Sequence, residues 1–172
     1  MVSAHSYTVI LDRDKTINDD PGYLNDPAKV ALLPRAAEGI RLLNQFGIRV
    51  FVASNQAGVA KGLITPEQLA AVNERIVELL AKEGARVEKI YVCIHGDADN
   101  CDCRKPKPGL IRQIIAEQKI DPLKTFVAGD RARDLECAID FKIRGILVGD
   151  DEKHEPANMV LRAANLFEVA SY

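Results

Sequence analysis

The chain has 172 residues, of which 47% are apolar and 28% are charged, and its net charge at neutral pH is −2. This composition is typical of a globular protein, and we expect residues 1–172 to form a single domain. The small net charge gives no sign of a nucleic acid or an anionic membrane as partner. No apolar run approaches the roughly 20 residues of a membrane span, and the N-terminus lacks the features of a signal peptide. We therefore expect a monomeric, cytoplasmic protein that binds neither nucleic acid nor membranes.

Apolar segments rich in β-forming residues alternate along the chain with segments of helical periodicity. The predicted strands are residues 8–11, 48–53, 89–93, 125–128 and 145–148. The predicted helices are residues 35–46, 66 to about 83, 108–117 and 133–140, and the second begins at Pro66 with Thr65 as its N-terminal cap. Strands that alternate with helices predict an α/β fold with a doubly wound, mostly parallel sheet. The short connections leave no room for a large inserted cap domain.

Two aspartates follow the first predicted strand. Asp12 and Asp14 are two residues apart, and residues two apart on an extended chain point in the same direction. Open α/β sheets bind ligands at the carboxyl edge of their strands, where both carboxylates would lie. One carboxylate could attack an electrophile while the other handles a proton and a divalent cation offsets the charge. A solvated turn would show the same pattern, so this motif alone does not decide between the two interpretations.

Three later segments supply further groups that such a reaction would need. Ser54 opens a loop after the second predicted strand, where its hydroxyl and the backbone N–H groups could bind phosphate oxygens. Arg104 and Lys105 lie in a basic, proline-stiffened loop that suits an anionic substrate. Asp130 and Asp134 follow the 125–128 strand, four residues apart at the start of a helix. We expect Asp130 to bind a metal ion and Asp134 to orient a neighbour through a hydrogen bond.

In order and spacing, these motifs resemble those of the haloacid dehalogenase superfamily of phosphatases. The series DRDxTIN, DPGYL, SNQAGVAKG, CxH…CxCRKPxPG and GDRxxD is similar to the group that contains histidinol phosphatases and heptose-bisphosphate phosphatases. The similarity extends from about Thr8 to Val148. It implies a haloacid dehalogenase-like fold and a phosphatase that acts on a small phosphorylated metabolite.

The resemblance also implies a role for each matching residue. Asp12 matches the nucleophile that forms an aspartyl-phosphate, and Asp14 matches the general acid that protonates the leaving alcohol and then activates water. Ser54 and Lys105 match the groups that hold the transferring phosphoryl group. Phosphoryl transfer needs positioning and charge neutralisation, which these cations and Mg²⁺ would supply. The implied magnesium ligands are Asp12, the carbonyl of Asp14, and Asp130.

Lys15 departs from the family pattern, which usually has glycine after the second aspartate. Glycine permits tight backbone conformations that a lysine adopts at a cost. Two consequences are open: the activity could be reduced, or the lysine could add a contact to phosphate.

Four potential metal ligands crowd into eleven residues. Cys93, His95, Cys101 and Cys103 supply three thiolates and one imidazole, a standard tetrahedral zinc set. With four protein ligands and no open position, we expect a structural zinc site that fixes the adjoining Arg104–Lys105 segment. Cys137 lies on a predicted helix and we expect it to be a small core residue.

The resemblance leaves the substrate open between two phosphomonoesters. The segment 20–24 and the loop that begins at Ser54 look like the heptose-bisphosphate phosphatases, whereas the short loop between His95 and Cys101 looks like the histidinol phosphatases. We favour the 7-phosphate of D-glycero-D-manno-heptose 1,7-bisphosphate, with histidinol phosphate or a weakly active phosphosugar-binding role as alternatives. Arg104, Lys107 and Arg131 could grip a remote phosphate at the mouth of the site. The residues assigned to substrate binding are Asp20, Pro21, Gly22, Tyr23, Asn55, Gln56, Arg104 and Arg131.

Overall fold

The computed structural model describes residues 7–172, whose six strands form one parallel sheet. The strands are β1 (Thr8–Leu11), β2 (Arg49–Asn55), β3 (Lys89–Cys93), β4 (Thr125–Gly129), β5 (Arg144–Val148) and β6 (Met159–Ala163). Their order in the sheet is β3-β2-β1-β4-β5-β6. β2 and β3 therefore lie on one side of β1, and β4, β5 and β6 lie on the other side. The predicted parallel α/β sheet is confirmed, and the five predicted strands end within two residues of the observed ones.

Within residues 7–172, five α-helices cover the sheet. They are α1 (Ala36–Gln45), α2 (Pro66–Lys82), α3 (Gly109–Gln118), α4 (Ala132–Glu136) and α5 (Leu166–Ser171). The start of α2 is fixed as the sequence predicted, because Thr65 accepts a hydrogen bond from the backbone N–H of Gln68 while the Gln68 side chain accepts one from the backbone N–H of Thr65. These two bonds satisfy N–H groups that the helix itself leaves unpaired.

Side chains alternate along β1 between two apolar cores. Val9 and Leu11 pack on one face of the sheet against apolar residues of α1, α2 and α5. Ile10 points to the other face, where residues of α3 and α4 cover it. The close contact of α1 with α5 requires Gly39, since a Cβ at this position would lie 2.3 Å from the carbonyl oxygen of Leu166. The central strands are buried on both faces, as their continuous apolar sequences indicate.

The structure differs from the predicted elements in the C-terminal part of the chain. The helix predicted at residues 133–140 is shorter, because α4 ends at Glu136 and a separate 3₁₀ turn, Ile139–Phe141, follows. The sequence analysis also missed β6 and α5. β6 is a short edge strand with partly exposed residues, so its sequence lacks a clear two-residue alternation. α5 has six residues and follows its N-terminal cap Asn165, whose side-chain oxygen accepts hydrogen bonds from the N–H groups of Phe167 and Glu168.

The order of the strands reverses at β1, and this reversal positions the functional residues. Leu11 is in register with Val52 of β2 and Ala128 of β4, and the N–H of Asp12 donates to the carbonyl of Ala128 at 2.8 Å. The loops that follow β1 and β4 thus begin at nearly the same level of the carboxyl edge, and β2 continues beside them to Asn55. This is the crevice in which open α/β sheets bind ligands.

Candidate active site

Three carboxylates meet where β1 and β4 end. The carboxylate oxygens of Asp12, Asp130 and Asp134 lie within 4.8 Å of one another, and we call this group the carboxylate cluster. Gly129 makes room for it, since a Cβ there would lie 2.4 Å from the Cβ of Asp134. Asp134 also accepts a hydrogen bond from the N–H of Arg131 at 3.0 Å, which fixes the turn into α4.

Lys105 supplies a buried cation to the carboxylate cluster. Its side chain is 2% exposed, and its Nζ lies 2.7 Å from Asp12 Oδ1 and 2.6 Å from Asp134 Oδ1. The same Nζ donates to the carbonyl of Ala53 at 2.7 Å, so all three ammonium protons have acceptors. Asn55 holds the backbone of Lys105 through two hydrogen bonds of 3.0 Å, one to the carbonyl and one from the N–H. The expectation that Asp134 orients a neighbour therefore agrees with the geometry.

The single ammonium of Lys105 does not offset the negative charge of three carboxylates. The pKa values of Asp12 and Asp130 reflect this excess of negative charge. Burial, with the neighbouring Asp134 carboxylate, raises the pKa of Asp12 to about 7. The same two causes raise the pKa of Asp130 to about 6. Burial alone would lower the pKa of Lys105, but Asp12 and Asp134 raise it above its ordinary value. An all-oxygen group with surplus negative charge fits a hard divalent cation such as Mg²⁺.

Asp14 lies apart from the carboxylate cluster and is held by three side chains. Arg13 grips it with two hydrogen bonds, from Nε to Oδ1 at 2.9 Å and from Nη2 to Oδ2 at 3.0 Å. Asn18 donates to Oδ1 at 3.0 Å and Gln56 donates to Oδ2 at 2.7 Å. Gln56 also donates to the buried Ser54 hydroxyl at 2.8 Å. The carboxylate of Asp14 is thus fixed in one orientation, facing a cleft at the carboxyl edge of the sheet.

The cleft beside Asp14 has a volume of about 290 Å³ and polar walls. One wall is the turn after β1, in which Asp20 accepts hydrogen bonds from the N–H groups of Gly22 and Leu24. The other wall is the loop after β2. Basic side chains from two loops and from the start of α4 line the cleft, namely Lys61, Arg104 and Arg133. A cleft lined by a fixed carboxylate and by three cations suits an anionic molecule.

Four ligand atoms of nitrogen and sulfur meet in the loop after β3. The sulfurs of Cys93, Cys101 and Cys103 and Nδ1 of His95 lie within 4.8 Å of one another, and we call this group the thiol cluster. Cys101 Sγ lies 3.6 Å from Cys93 Sγ and 3.5 Å from Cys103 Sγ, and His95 Nδ1 lies 3.3 Å from Cys103 Sγ. Tetrahedral zinc with bonds of about 2.3 Å separates its sulfurs by about 3.8 Å. The donor set and the two sulfur separations of Cys101 fit a zinc ion, whereas Cys103 Sγ and Cys93 Sγ, at 2.8 Å, are closer together than two sulfurs bound to one zinc would be.

Comparisons with known proteins support the same chemistry. The HAD-hydrolase-like family model matches residues 102–168. A D-glycero-beta-D-manno-heptose-1,7-bisphosphate 7-phosphatase of Pseudomonas aeruginosa is 40% identical over 141 residues, which are 81% of this chain and 79% of that protein. The chain belongs to the haloacid dehalogenase-like phosphatases.

A solved structure agrees with this assignment. The D,D-heptose 1,7-bisphosphate phosphatase of B. bronchiseptica, complexed with magnesium and phosphate, superposes with a TM-score of 0.87. It is 31% identical in sequence, and the match covers 96% of both chains. A relative from Haemophilus influenzae with the same 7-phosphatase name is 32% identical over 79% of this chain and 77% of its own length. Among residues 7–172, no helix has the length and apolar character needed to cross a membrane.

The phosphatase fold brings most of the residues assigned to substrate binding to the cleft. Asp20, Gly22, Tyr23, Asn55, Gln56 and Arg104 line it. Two of the residues assigned to substrate binding, Pro21 and Arg131, are not among the described residues that line the cleft. Arg131 lies beside Asp130 instead, at 3.4 Å. Lys107 is also away from the cleft, because it donates to Asn100 Oδ1 and the carbonyl of Cys101, both at 2.8 Å. Arg131 and Lys107 are therefore not among the residues that line the cleft, and their expected role at its mouth stays a prediction.

Three basic residues of the site were missed. Lys61 and Arg133 belong to the motifs that the sequence analysis quoted, and their charge was the available signal. Arg13, whose side chain is 1% exposed, lies between the two aspartates of the first motif. It reaches both Asp14 and the side-chain oxygen of Asn73 on α2, the latter at 2.8 Å. Cys137 is buried in the core on the α3 and α4 side, as expected.

Proposed function

We propose that this phosphatase is magnesium-dependent and removes the 7-phosphate of D-glycero-D-manno-heptose 1,7-bisphosphate. The observation that carries the proposal is the carboxylate cluster with its buried Lys105, which adjoins a cleft with cationic walls. The names of the relatives support the substrate, since both the Pseudomonas aeruginosa and the Haemophilus influenzae proteins are named as 7-phosphatases of this bisphosphate.

In the proposed reaction, a carboxylate oxygen of Asp12 attacks phosphorus and the bond between phosphorus and the sugar oxygen breaks. Asp14 gives a proton to the departing alcohol. The aspartyl-phosphate on Asp12 is then hydrolysed by a water molecule that returns a proton to Asp14, so the enzyme ends the cycle as it began. Lys105 offsets the charge that would otherwise repel the carboxylate from the phosphate. Ser54 joins Lys105 in holding the phosphoryl group.

Two metals belong to the proposal. Asp12, the carbonyl of Asp14, and Asp130 would hold Mg²⁺, which when bound neutralises charge on the transferring phosphoryl group. The carboxylate cluster supports this ion by its oxygen donors and its excess charge. Cys93, His95, Cys101 and Cys103 would hold a structural Zn²⁺. Burial and the neighbouring thiols raise the pKa of Cys103 to about 12, so three thiolates require a cation to coexist.

The charge of the cleft favours the bisphosphate over histidinol phosphate. Its second phosphate is an anion remote from the reacting group, and the cleft offers the cations Lys61, Arg104 and Arg133. Histidinol phosphate would instead bring a cationic amine to this wall. Asp20 faces the cleft, but it already accepts two backbone hydrogen bonds. The other carboxylate of the cleft, Asp14, already accepts hydrogen bonds from Arg13, Asn18 and Gln56. Two carboxylates that already have donors, among three cations, are a poor site for an amine.

Steady-state kinetics on both substrates tests this proposal. We expect kcat/KM for the heptose bisphosphate to exceed that for histidinol phosphate by at least about tenfold, which corresponds to about 1.4 kcal/mol. Activity should need Mg²⁺ and be inhibited by Ca²⁺, which prefers longer bonds and more ligands. A preference for histidinol phosphate would reverse the assignment. Full activity after exhaustive removal of magnesium would contradict the metal assignment.

A further inference from the structure

The side chain of Gln56 connects two groups to which the proposed reaction gives different tasks. Gln56 is 5% exposed, and its Nε2 donates to Asp14 Oδ2 at 2.7 Å and to Ser54 Oγ at 2.8 Å. An amide nitrogen carries two protons, so these two bonds use both of them. Gln56 lines the cleft, but its amide protons are taken up inside the protein.

The orientation of the Gln56 amide follows from its neighbours. An ionised carboxylate only accepts hydrogen bonds, and the reversed amide would set Oε1 against Asp14 Oδ2 at 2.7 Å. The backbone of Gln56 is fixed as well, because its N–H donates to the carbonyl of Cys93, the last residue of β3, at 2.7 Å. The amide nitrogen is therefore held as a donor toward both partners.

The direction of the bond from Gln56 decides what the Ser54 hydroxyl can do. A serine hydroxyl has one proton, and its oxygen can also accept. Because Ser54 Oγ accepts from Gln56, that bond does not use the hydroxyl proton. Ser54 is 1% exposed, and the residues on either side of it, Ala53 and Asn55, both bond to Lys105. The proton of Ser54 thus remains for an acceptor, in a segment that contacts the buried cation.

We propose that Gln56 is a positioning residue that directs the Ser54 hydroxyl proton to the transferring phosphoryl group and holds the Asp14 carboxyl group for the leaving alcohol. The inference rests on the proposed function, in which Ser54 binds the phosphoryl group and Asp14 is the acid. Without the amide, Asp14 keeps its bonds from Arg13 and Asn18, whereas the Ser54 hydroxyl loses the donor that orients it. The effect on phosphate binding should therefore be the larger of the two.

Two readouts of Gln56→Met measure the two effects separately. Methionine keeps the length of the side chain and removes the donor. Inhibition by inorganic phosphate in the presence of Mg²⁺ reports on the phosphoryl site, and we expect its Ki to rise about tenfold. The acid is tested by comparing heptose 1,7-bisphosphate, which releases an alkyl alcohol, with an aryl phosphate, whose leaving group needs little protonation. We expect kcat to fall about threefold more for the bisphosphate.

A double substitution separates orientation of Ser54 from a general structural effect. In the Ser54→Ala background, Gln56→Met should leave the Ki for phosphate unchanged, because no hydroxyl remains to be oriented. Gln118→Met is the matched control. Gln118 also donates from its side-chain amide, to the Tyr91 hydroxyl at 2.9 Å, but it does not line the cleft. This control should change neither the Ki nor the ratio of the two kcat values.

Gln56→Glu tests the donor role with a side chain of nearly the same size. Its carboxylate accepts the Ser54 proton instead of donating to the hydroxyl, and it adds a second anion beside Asp14. The Ki for phosphate should therefore rise at least as much as in Gln56→Met. A residue that only filled space would tolerate glutamate better than methionine.

The outcomes separate this inference from the proposed function. If the wild type is active with Mg²⁺ but Gln56→Met leaves the Ki unchanged, or raises it equally in the Ser54→Ala background, the role of Gln56 is wrong and the phosphatase assignment stands. A near-normal Ki in Gln56→Glu, or an equal fall in kcat on both substrates in Gln56→Met, would also overturn it. If the wild type hydrolyses only the aryl phosphate, the proposed substrate is wrong, and the Ki values still decide the role of Gln56. Hydrolysis of neither substrate would overturn both.

Discussion

The carboxylate cluster and the thiol cluster are both candidate metal sites, but they are built in opposite ways. The carboxylate cluster lies at the ends of central strands and contains its own cation, Lys105. The thiol cluster lies at the end of β3 and in the loop that follows. Its four potential ligands contact one another. The sheet therefore fixes the first cluster without a metal, whereas we expect the second to depend on the ion that it would bind. Substitutions in the first should alter chemistry, and those in the second should alter local structure.

The two clusters are joined through a short segment. Cys103 belongs to the thiol cluster, Arg104 follows it, and Lys105 enters the carboxylate cluster. Arg104 is tied back to the thiol loop by a hydrogen bond of 2.7 Å from Nε to Asp97. Asn55 of β2 holds the far end of the segment at Lys105. A change in the thiol cluster can thus reach the reaction through the position of one ammonium.

The largest expected effect is on turnover, from Asp12→Asn. The amide is a poor nucleophile, so turnover should fall below detection. The fold should persist, because Lys105 keeps Asp134 and the Ala53 carbonyl as acceptors. The pKa of Asp12 is raised to about 7 in the folded state, so its ionised form disfavours folding at higher pH. The melting temperature at pH 8 should therefore not decrease. Near-normal turnover would contradict the covalent mechanism.

Lys105→Met should produce the largest loss of stability. It leaves Asp12 and Asp134 buried without their cation, a situation that costs about 3–5 kcal/mol in comparable sites. Because protonation of a carboxylate with a raised pKa relieves this cost, the loss measured by urea unfolding should be greater at pH 8 than at pH 5. Lys89→Met is the control, since it breaks an exposed pair with Glu117 and should cost at most about 1 kcal/mol. Equal losses for the two variants would contradict the description of the carboxylate cluster.

Cys101→Ser tests whether the thiol cluster acts through local structure. Freshly purified wild type should contain one zinc per chain, and this variant should lose it. Structural zinc contributes on the order of 10 kcal/mol to local folding, so hydrogen exchange in residues 94–105 should accelerate while β1 remains protected. Turnover should fall because Lys105 loses its position. Cys137→Ala, in the core, should keep the zinc. Zinc-free wild type with a protected loop would show that the cluster needs no metal.

The smallest expected effect concerns the wall of the cleft and compares two neighbouring arginines. Arg133→Ala should raise KM for the heptose bisphosphate about tenfold, or about 1.4 kcal/mol, because Arg133 lines the cleft. Arg131→Ala should change KM less than about twofold, since Arg131 lies beside Asp130 instead. Steady-state kinetics on both variants measures the difference. A larger effect of Arg131→Ala than of Arg133→Ala would support the assignment of Arg131 to substrate binding that the sequence suggested.

The sequence was sufficient to predict the position of site residues that directly follow a strand. Asp12 and Asp130 come directly after apolar strands, and parallel strands bring such residues to one edge. The thiol cluster was predictable because its ligand types and short spacing are specific. The pairing of Asp14 with Arg13 was not predictable, since it depends on a buried arginine that also reaches Asn73, 60 residues away along the chain. Contacts of that kind depend on packing, which local sequence patterns do not describe.

Edge elements and side-chain direction account for the remaining differences. β6 was missed because a short, half-exposed edge strand has neither the continuous apolar run of a central strand nor a clear alternation. Arg131 and Arg133 are two residues apart near the start of α4, so they point in different directions, and Arg133 lines the cleft, whereas the motif indicated Arg131. The left-handed conformation of Lys15 agrees with the tight turn that the motif implied.

The central claim is that Asp12 carries the phosphoryl group, and a trapped intermediate tests it most directly. Asp14→Asn should slow hydrolysis of the intermediate roughly 10²–10⁴-fold, while an aryl phosphate still transfers its phosphoryl group because its leaving group needs little protonation. The reaction would be quenched in acid after one turnover and the peptides analysed by mass spectrometry. We expect one phosphoryl group per chain, located on Asp12. A phosphoryl group on another residue, or none while product forms, would contradict the mechanism.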